Sequence, residues 1–589
     1  MPTHKPALTP ALSQAGAGSF LRYLPFLVWL PHYRRQDLVG DLMAGVIVTL
    51  VLVPQGMAYA MLAGLPPQVG LYASIMPPIL YGLLGTSRTL AVGPEATGSL
   101  LVVSILSQLA LQGSSEYLSL ALTLALMVGI IKLAMGLVRL GFLVNFLSHP
   151  VISGYTSAAG LIIIFSQVGH LMGIAFPSTH STYEVVIYTV RHSAESNLIT
   201  LSIGLGSIVI LICFTRVLGA LLNRRGMPAS VSGPITKSGP LVVILIGTLV
   251  VWAFQLHENG NVGIFGAVPA GLPPLTVPHF DWTRLKILLP GVLAIILVGY
   301  MDSISVAKVL ASKRREKVDA NQELVALGTA NLGAAFTGGY PVSGGTSRSV
   351  VNFTAGANTG LASIITGLLI ALTVSFLTSL FYFLPRAALA AIVVVASLGL
   401  IDMTTLKYVW RYSKADAASL LITFLAVMVF NIEIGIVIGA LTALALYLWR
   451  TSRPHVAIVG RVKDSEHYRN VLRHDVQTCP HVLAIRVDES LYFANTKYLE
   501  DYLLRAIADH PSIKHLVLVC SGINFIDASG LMTLEKLIDA LRDAGVSLYL
   551  AEVKGPVMDQ FQKVGFVEHL GTDRIFLSAR QAMQALGCE

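Results

Sequence analysis

Two short stretches carry the residues best suited to chemistry. Val92-Gly-Pro-Glu-Ala-Thr-Gly-Ser99 and Tyr340-Pro-Val-Ser-Gly-Gly-Thr-Ser-Arg348 each set proline, glycine and hydroxyl residues inside otherwise apolar sequence. Each reads as a helix that begins partway through an apolar span. The first N–H groups of a helix have no partner inside it, and the helix dipole leaves partial positive charge there. Two such ends facing each other in an apolar interior make a dehydrated cradle for an anion. Gly344 and Gly345 permit close backbone approach, Thr346 and Ser347 add hydroxyl donors, and Arg348 supplies a full positive charge. The chemistry is anion binding. Two plainer readings compete: Pro-kinked structural helices and, for Arg348, an ion pair with a nearby carboxylate.

Asp302 lies in Val298-Gly-Tyr-Met-Asp-Ser-Ile-Ser305, again within an apolar run. An intramembrane carboxylate is a functional candidate by default, and Ser303 and Ser305 are placed to hydrogen-bond it. A sodium site would want another oxygen ligand on the same helical face, about four residues on. That position is Val306, so a proton is the favoured coupling ion, with backbone carbonyls the remaining route to a sodium shell. Lys132 and Arg139 read as side chains that snorkel from a span end. His149 and His170 read as structural or interfacial, and Glu433 as a turn or helix-cap residue.

The elements that position these groups follow from hydropathy. The chain has 589 residues, 54% apolar and 12% charged, with a mean hydropathy of +0.71. Soluble domains carry about 25% charged residues. About 32 of the 72 charged residues lie after Ser452, so the tail is normally charged and the rest is not. The expected organisation is a cytoplasmic segment over 1–40, a transmembrane domain over 41–452 and a soluble domain over 453–589. With about 20 residues needed per crossing, fourteen spans are expected. They lie near 41–63, 67–84, 92–110, 117–139, 142–169, 199–222, 239–257, 284–308, 321–338, 343–356, 359–382, 385–402, 415–431 and 433–450. Lys and Arg gather after the even-numbered spans, and Arg22, Arg34 and Arg35 precede the first. Both termini are therefore expected in the cytoplasm. The interrupted segments are third of seven in each half. Seven spans reverse the direction of entry for the second set, so the halves form a 7+7 inverted repeat, and matched interruptions point to a transporter's binding site.

Other classes find little support. The net charge of +8 is explained by loop cations rather than a nucleic-acid face. No Gly-Lys dipeptide, HExxH or GxSxG occurs, so neither a P-loop ATPase nor a membrane hydrolase is built in. Cys213, Cys479, Cys520 and Cys588 are widely spaced, suggesting neither a metal site nor a disulfide framework. No cofactor is expected.

The chain resembles the sulfate permease (SulP) family, relatives of pendrin, prestin and plant sulfate transporters. The matching segments are Leu52-Val-Pro-Gln-Gly-Met-Ala-Tyr-Ala60, Pro66-Pro-Gln-Val-Gly-Leu-Tyr-Ala-Ser74, Val92-Gly-Pro-Glu-Ala96, Asn321-Gln-Glu-Leu324 and Ser347-Arg-Ser-Val-Val-Asn352. The resemblance implies a polytopic α-helical membrane protein with core and gate domains, a homodimer, an elevator movement and a C-terminal α/β STAS domain. It places the anion pocket at Gln55, Tyr59, Glu95, Ala96, Ser347 and Arg348, and gives Asp302 a role in cation coupling. Glu95 departs from the aromatic or aliphatic residue of relatives. Beside an anion it should be protonated, or paired to Arg348 when the anion is gone; the plainer reading is a carboxylate on the helix dipole.

After Val456 short strands alternate with amphipathic helices, expected at Val482–Val487, His515–Cys520 and Val546–Ala551, and at Thr496–Ala508 and Ser529–Asp543. Asp527-Ala-Ser529 resembles the turn bearing the phosphorylated serine of anti-sigma antagonists, but in a transporter tail the favoured reading is that Asp527 and Ser529 cap the next helix. The expected function is secondary active anion transport, with proton-coupled sulfate uptake foremost. A bicarbonate or dicarboxylate carrier, sodium-coupled or exchanging, and an anion sensor signalling through the tail are the alternatives. The expected setting is a lipid bilayer, the inner membrane in a bacterium.

Overall fold

The computed structural model describes residues 24–142, 148–174, 182–227, 232, 235–236, 238–267, 269–278, 281–430, 432–463 and 465–588. Arg22 and the side chain of Glu433 lie outside the described residues. Two compact units divide the chain, Met1–Ala443 and Leu444–Glu589.

The first unit is helical, as a backbone that must satisfy its own hydrogen bonds in hydrocarbon requires. Among the described residues seven helices are long and apolar enough to cross a membrane, and Ala96–Leu106, Gly239–Ala253 and Leu361–Phe376 are shorter apolar helices. The elements around the candidate site are α1 (Arg35–Leu62), β1 (Val92–Gly93), α2 (Ala96–Leu106), α3 (Ser115–Leu137), α4 (His149–Met172), α5 (Trp282–Arg314), α6 (Ala320–Phe336), β2 (Ser343–Gly344), α7 (Thr346–Thr354) and α8 (Leu361–Phe376). Further on come α9 (Arg386–Leu398), α10 (Lys414–Val429) and α11 (Ile432–Thr451). Packing falls into two groups. Helix α3 lies along α6 and α1 along α8, whereas α4 packs on α9 and α10.

Close backbone approach sets the α3–α6 contact. A Cβ on Gly136 would sit 2.8 Å from the Asn321 carbonyl oxygen, and one on Gly328 2.6 Å from the Leu133 nitrogen. Small residues permit such packing where no hydrophobic drive separates helix from lipid. Buried carboxylates tie distant segments. Glu323 accepts hydrogen bonds from the Tyr81 hydroxyl at 2.6 Å, the Thr86 hydroxyl at 2.6 Å, and the Thr86 and Ser87 N–H groups. Asp41 accepts from the Asn358 and Thr359 N–H groups and the Thr359 hydroxyl. Hydrogen bonds to charged groups contribute about 1.5–3 kcal/mol each, so these anchors hold the two halves together.

In the second unit the strands are β3 (Val456–Val462), β4 (Tyr468–Asn470), β5 (Val476–Gln477), β6 (Val482–Val487), β7 (His515–Val519), β8 (Ser547–Ala551) and β9 (Ile575–Phe576). The sheet runs β4-β3-β6-β7-β8-β9, with β5 also pairing to β3. Strands β6 to β9 are parallel, and β3 is antiparallel to β6. Helices α12 (Thr496–Ala508), α13 (Ala528–Asp543), α14 (Gly555–Lys563), α15 (Phe566–Leu570) and α16 (Ala579–Ala585) complete the unit. The short β4, β5 and β9 and the last three helices fall below what periodicity resolves. One expectation is overturned. Cys479 and Cys588, 109 residues apart, are disulfide-bonded, and His481 Nε2 lies 3.5 Å from Cys588 Sγ. The sheet edge and the C-terminal helix bring together cysteines whose spacing suggested no bridge.

Candidate anion site

The two interrupted segments meet. Strands β1 and β2 form an antiparallel pair, Val92 opposite Gly344 and Gly93 opposite Ser343. Each leads at once into a helix, α2 through Glu95 and α7 through Gly345. Gly345 lets the Arg348 guanidinium lie close against the backbone: a Cβ there would lie 2.7 Å from the guanidinium carbon, and the arginine would have to shift. Neither helix has a side-chain cap, so neither dipole end is offset by its own N-cap residue. In the first turn of α2, a Cβ on Gly98 would meet no atom within 4 Å, which leaves open space before that helix end.

Arg348 is buried and reaches back across the crossing, where Nη1 donates to the Pro94 carbonyl at 2.6 Å. Its Nε and Nη2 have no hydrogen-bond partner among the described residues. Buried donors are normally satisfied, and a bound oxyanion would satisfy these. Glu95 makes no ion pair with Arg348. Its Oε2 accepts from the Ser343 hydroxyl at 2.5 Å, linking the α2 entrance to β2. Asp302 Oδ2 faces the Thr97 hydroxyl at 3.4 Å, and a small cavity lined by Tyr155, Met301 and Ile436 adjoins it.

Gln55 and Tyr59 lie one helical turn apart on α1, both buried, and Tyr59 interacts electrostatically with Arg348 and Glu95. Ala96 opens α2, while Thr346 and Ser347 open α7 with exposed side chains. The structure thus gathers Tyr59, Glu95, Ala96 and Arg348 at one crossing, with Asp302 behind Thr97. Two serines differ from expectation. Ser303 donates to the Gly299 carbonyl at 2.5 Å and accepts from the Gly344 N–H, so it supports β2 rather than Asp302. Ser305 is exposed.

Lys132 is the larger correction. It does not snorkel: the side chain is fully buried, and Nζ has no hydrogen-bond partner among the described residues. Residues missed in the sequence include Thr97, Ser343 and Tyr340, whose hydroxyl lies 2.9 Å from that of Ser99. Ser343 and Thr97 stood inside the interrupted segments, so a search for hydroxyls flanking Glu95 would have found them. In the second unit Asp527 caps α13, accepting from the Gly530 N–H at 2.8 Å.

Comparison with known proteins supplies independent findings. The Sulfate permease family matches residues 38–423, and the STAS domain matches residues 473–582. The chain is 35% identical to "Probable sulfate transporter 4.2" of Arabidopsis thaliana, over 95% of this chain and 83% of that protein. It is 31% identical to "High affinity sulfate transporter 2" of Stylosanthes hamata, over 98% and 88% respectively. The murine Solute Carrier 26 family member A9 anion transporter, solved in the inward-facing state, superposes with a TM-score of 0.88 at 26% identity, covering 100% of each chain.

Proposed function

This chain belongs to the sulfate permease family, and from that premise we propose that it takes up sulfate by proton-coupled secondary transport. It is an integral, multi-pass membrane transporter and not an enzyme. The observation that carries the finer reading is the uncapped pair of helix ends with Arg348 Nε and Nη2 unpartnered between them. Backbone dipoles and a planar guanidinium suit a tetrahedral oxyanion that has shed its water. The names of the plant relatives favour sulfate among such anions.

Coupling rests on charge. Glu95 and Asp302 stand on either side of Thr97 and interact with each other electrostatically. A proton taken up by either removes a negative charge from the place the anion must enter, so proton and anion favour each other's binding, and the coupling is reciprocal. Release of both on the other side completes a symport cycle, with the α1–α3 and α5–α8 group moving against α4, α9 and α10 as an elevator. The chain works as a homodimer with both termini in the cytoplasm, and Gln55, Tyr59, Ala96, Thr346 and Ser347 line the substrate.

The test is uptake of labelled sulfate into proteoliposomes with and without an inward proton gradient. Concentrative uptake on the proton gradient, and none on a sodium gradient at symmetrical pH, is expected. Sodium-driven uptake would overturn the coupling, and transport of other anions without sulfate would overturn the substrate.

A further inference from the structure

Lys132 sits five residues before the C-terminal end of α3 (Ser115–Leu137), on the face that Gly129 and Gly136 press against α6. That packing leaves its stem no path to water. The ammonium is fully buried without a hydrogen-bond partner among the described residues. A buried, uncompensated charge is strongly destabilising, and an ionisable group at membrane depth is a functional candidate by default.

Its location narrows the role. A Cβ added to Gly299 of α5 would lie 3.7 Å from Lys132 Nζ and 3.2 Å from Ser343 Cβ. Ser343 is the residue whose hydroxyl holds Glu95. Lys132 Nζ and Ser343 therefore both border Gly299 of α5, and Lys132 interacts electrostatically with Glu95. The other titratable groups about the crossing are Asp302 on α5, Arg348 on α7, Tyr59 on α1, Tyr155 on α4 and Tyr340 before β2. Glu323, on the α6 side, is already saturated by Tyr81, Thr86 and Ser87.

We propose that Lys132 is the counter-ion of Glu95 and that, when Glu95 takes a proton, its positive charge is released to the anion site and selects divalent over monovalent anions. With Glu95, Asp302, Arg348 and Lys132 all ionised, the four charges cancel and the empty crossing is neutral. Protonation of Glu95 forms one O–H bond and breaks none in the protein. It leaves two cations against one carboxylate, and protonation of Asp302 as well would leave two cations for a dianion. A monovalent anion needs only Arg348. Lys132 is thus a specificity-determining residue that acts on substrate through the field and not by contact. This inference deepens the proposed sulfate function and rests on it.

The experiment uses the full chain purified as wild type, Lys132→Gln, Lys132→Arg, Glu95→Gln and the double variant Lys132→Gln/Glu95→Gln. Sulfate and nitrate are the probes, read by thermal stabilisation across a concentration series and by uptake in proteoliposomes. Lys132→Gln is expected to weaken sulfate binding at least about tenfold, through loss of one positive charge acting on a dianion at short range in a low-dielectric interior, while nitrate changes less than about threefold. Lys132→Arg should keep the preference. The unfolding temperatures make a second reading that survives loss of transport: Lys132→Gln alone should be the least stable protein, and adding Glu95→Gln should restore stability toward that of Glu95→Gln. A Lys132→Gln protein with the wild-type sulfate-to-nitrate ratio would overturn the selectivity role, and additive stability effects would overturn the pairing. If wild type binds nitrate or another anion but no sulfate, the proposed function fails, while the stability cycle still decides whether Lys132 and Glu95 are a pair.

Discussion

Glu95 and Asp527 occupy the same position in two unlike domains: each is the extended residue between a β segment and a helix. Asp527 turns inward on its own helix. Its Oδ1 accepts from the Gly530 N–H at 2.8 Å and its Oδ2 from the Phe493 N–H at 2.9 Å, which satisfies the helix end in the ordinary way. Glu95 makes no such bond. Its carboxylate crosses to Ser343 and leaves the dipole end of α2 without a side-chain cap. An acidic residue at a helix start can thus be a cap or part of a site, and the difference lies in where its oxygens go. In water an open helix end finds solvent; at membrane depth it is costly unless a ligand completes it.

The sharpest way to break this contrast is to reverse the charge at the open ends. Arg348→Glu should lower sulfate affinity by at least about a hundredfold, since it deletes charge-assisted donors and adds repulsion. Binding is read by thermal stabilisation and folding by size-exclusion elution; retained affinity would show that the crossing is not the site. Next in size is Asp302→Asn, which should abolish acceleration of uptake by an inward proton gradient while leaving anion exchange measurable. Persistence of gradient-driven accumulation in both this variant and Glu95→Gln would remove the carboxylates from coupling.

In the tail the expected effects are on stability alone. Cys588→Ser opens a cross-link spanning 109 residues and should destabilise the oxidised tail by about 2–4 kcal/mol, measured by denaturant unfolding with and without reductant. A variant as stable as wild type under oxidising conditions would mean that the bridge does not restrain the fold. Asp527→Ala should cost about 1 kcal/mol of tail stability through the lost cap and leave sulfate binding unchanged; a change in binding would end the contrast drawn between the two acidic residues. The smallest effect concerns Asp488. Partial burial opposes ionisation there, but hydrogen bonds and charge from Arg486 and His455 win and hold the carboxyl below the usual range. Its contribution is present above the unfolded-state pKa and fades as pH falls through the folded value. Arg486→Ala should therefore make tail stability slightly less sensitive to acid over that window, as read by unfolding at a series of pH values.

Much of the molecule is local and so was legible along the chain. Long apolar runs with few charges inside them and Lys and Arg gathered in the loops between them read as bilayer spans, and the higher share of charged residues after Ser452 reads as a separate soluble domain. Pro94 and Gly344–Gly345 interrupt apolar runs at matched places, which requires a helix to start inside the membrane. Strands Val482–Val487 and Ser547–Ala551 and helix Thr496–Ala508 are periodic enough to read directly. What escaped is decided by partners far away in sequence. Glu95 takes Ser343, 248 positions on, in place of Arg348, and Asp302 meets Thr97 across 205 positions in place of its neighbouring serines. Cys479 finds Cys588, and Lys132 is enclosed because α6 closes over the glycines beside it. A residue's type and its near neighbours determine which element it joins and what chemistry it can offer. Which charge it faces, and whether water can reach it, is settled only when the elements pack, because electrostatic partners and burial are properties of the assembled interior.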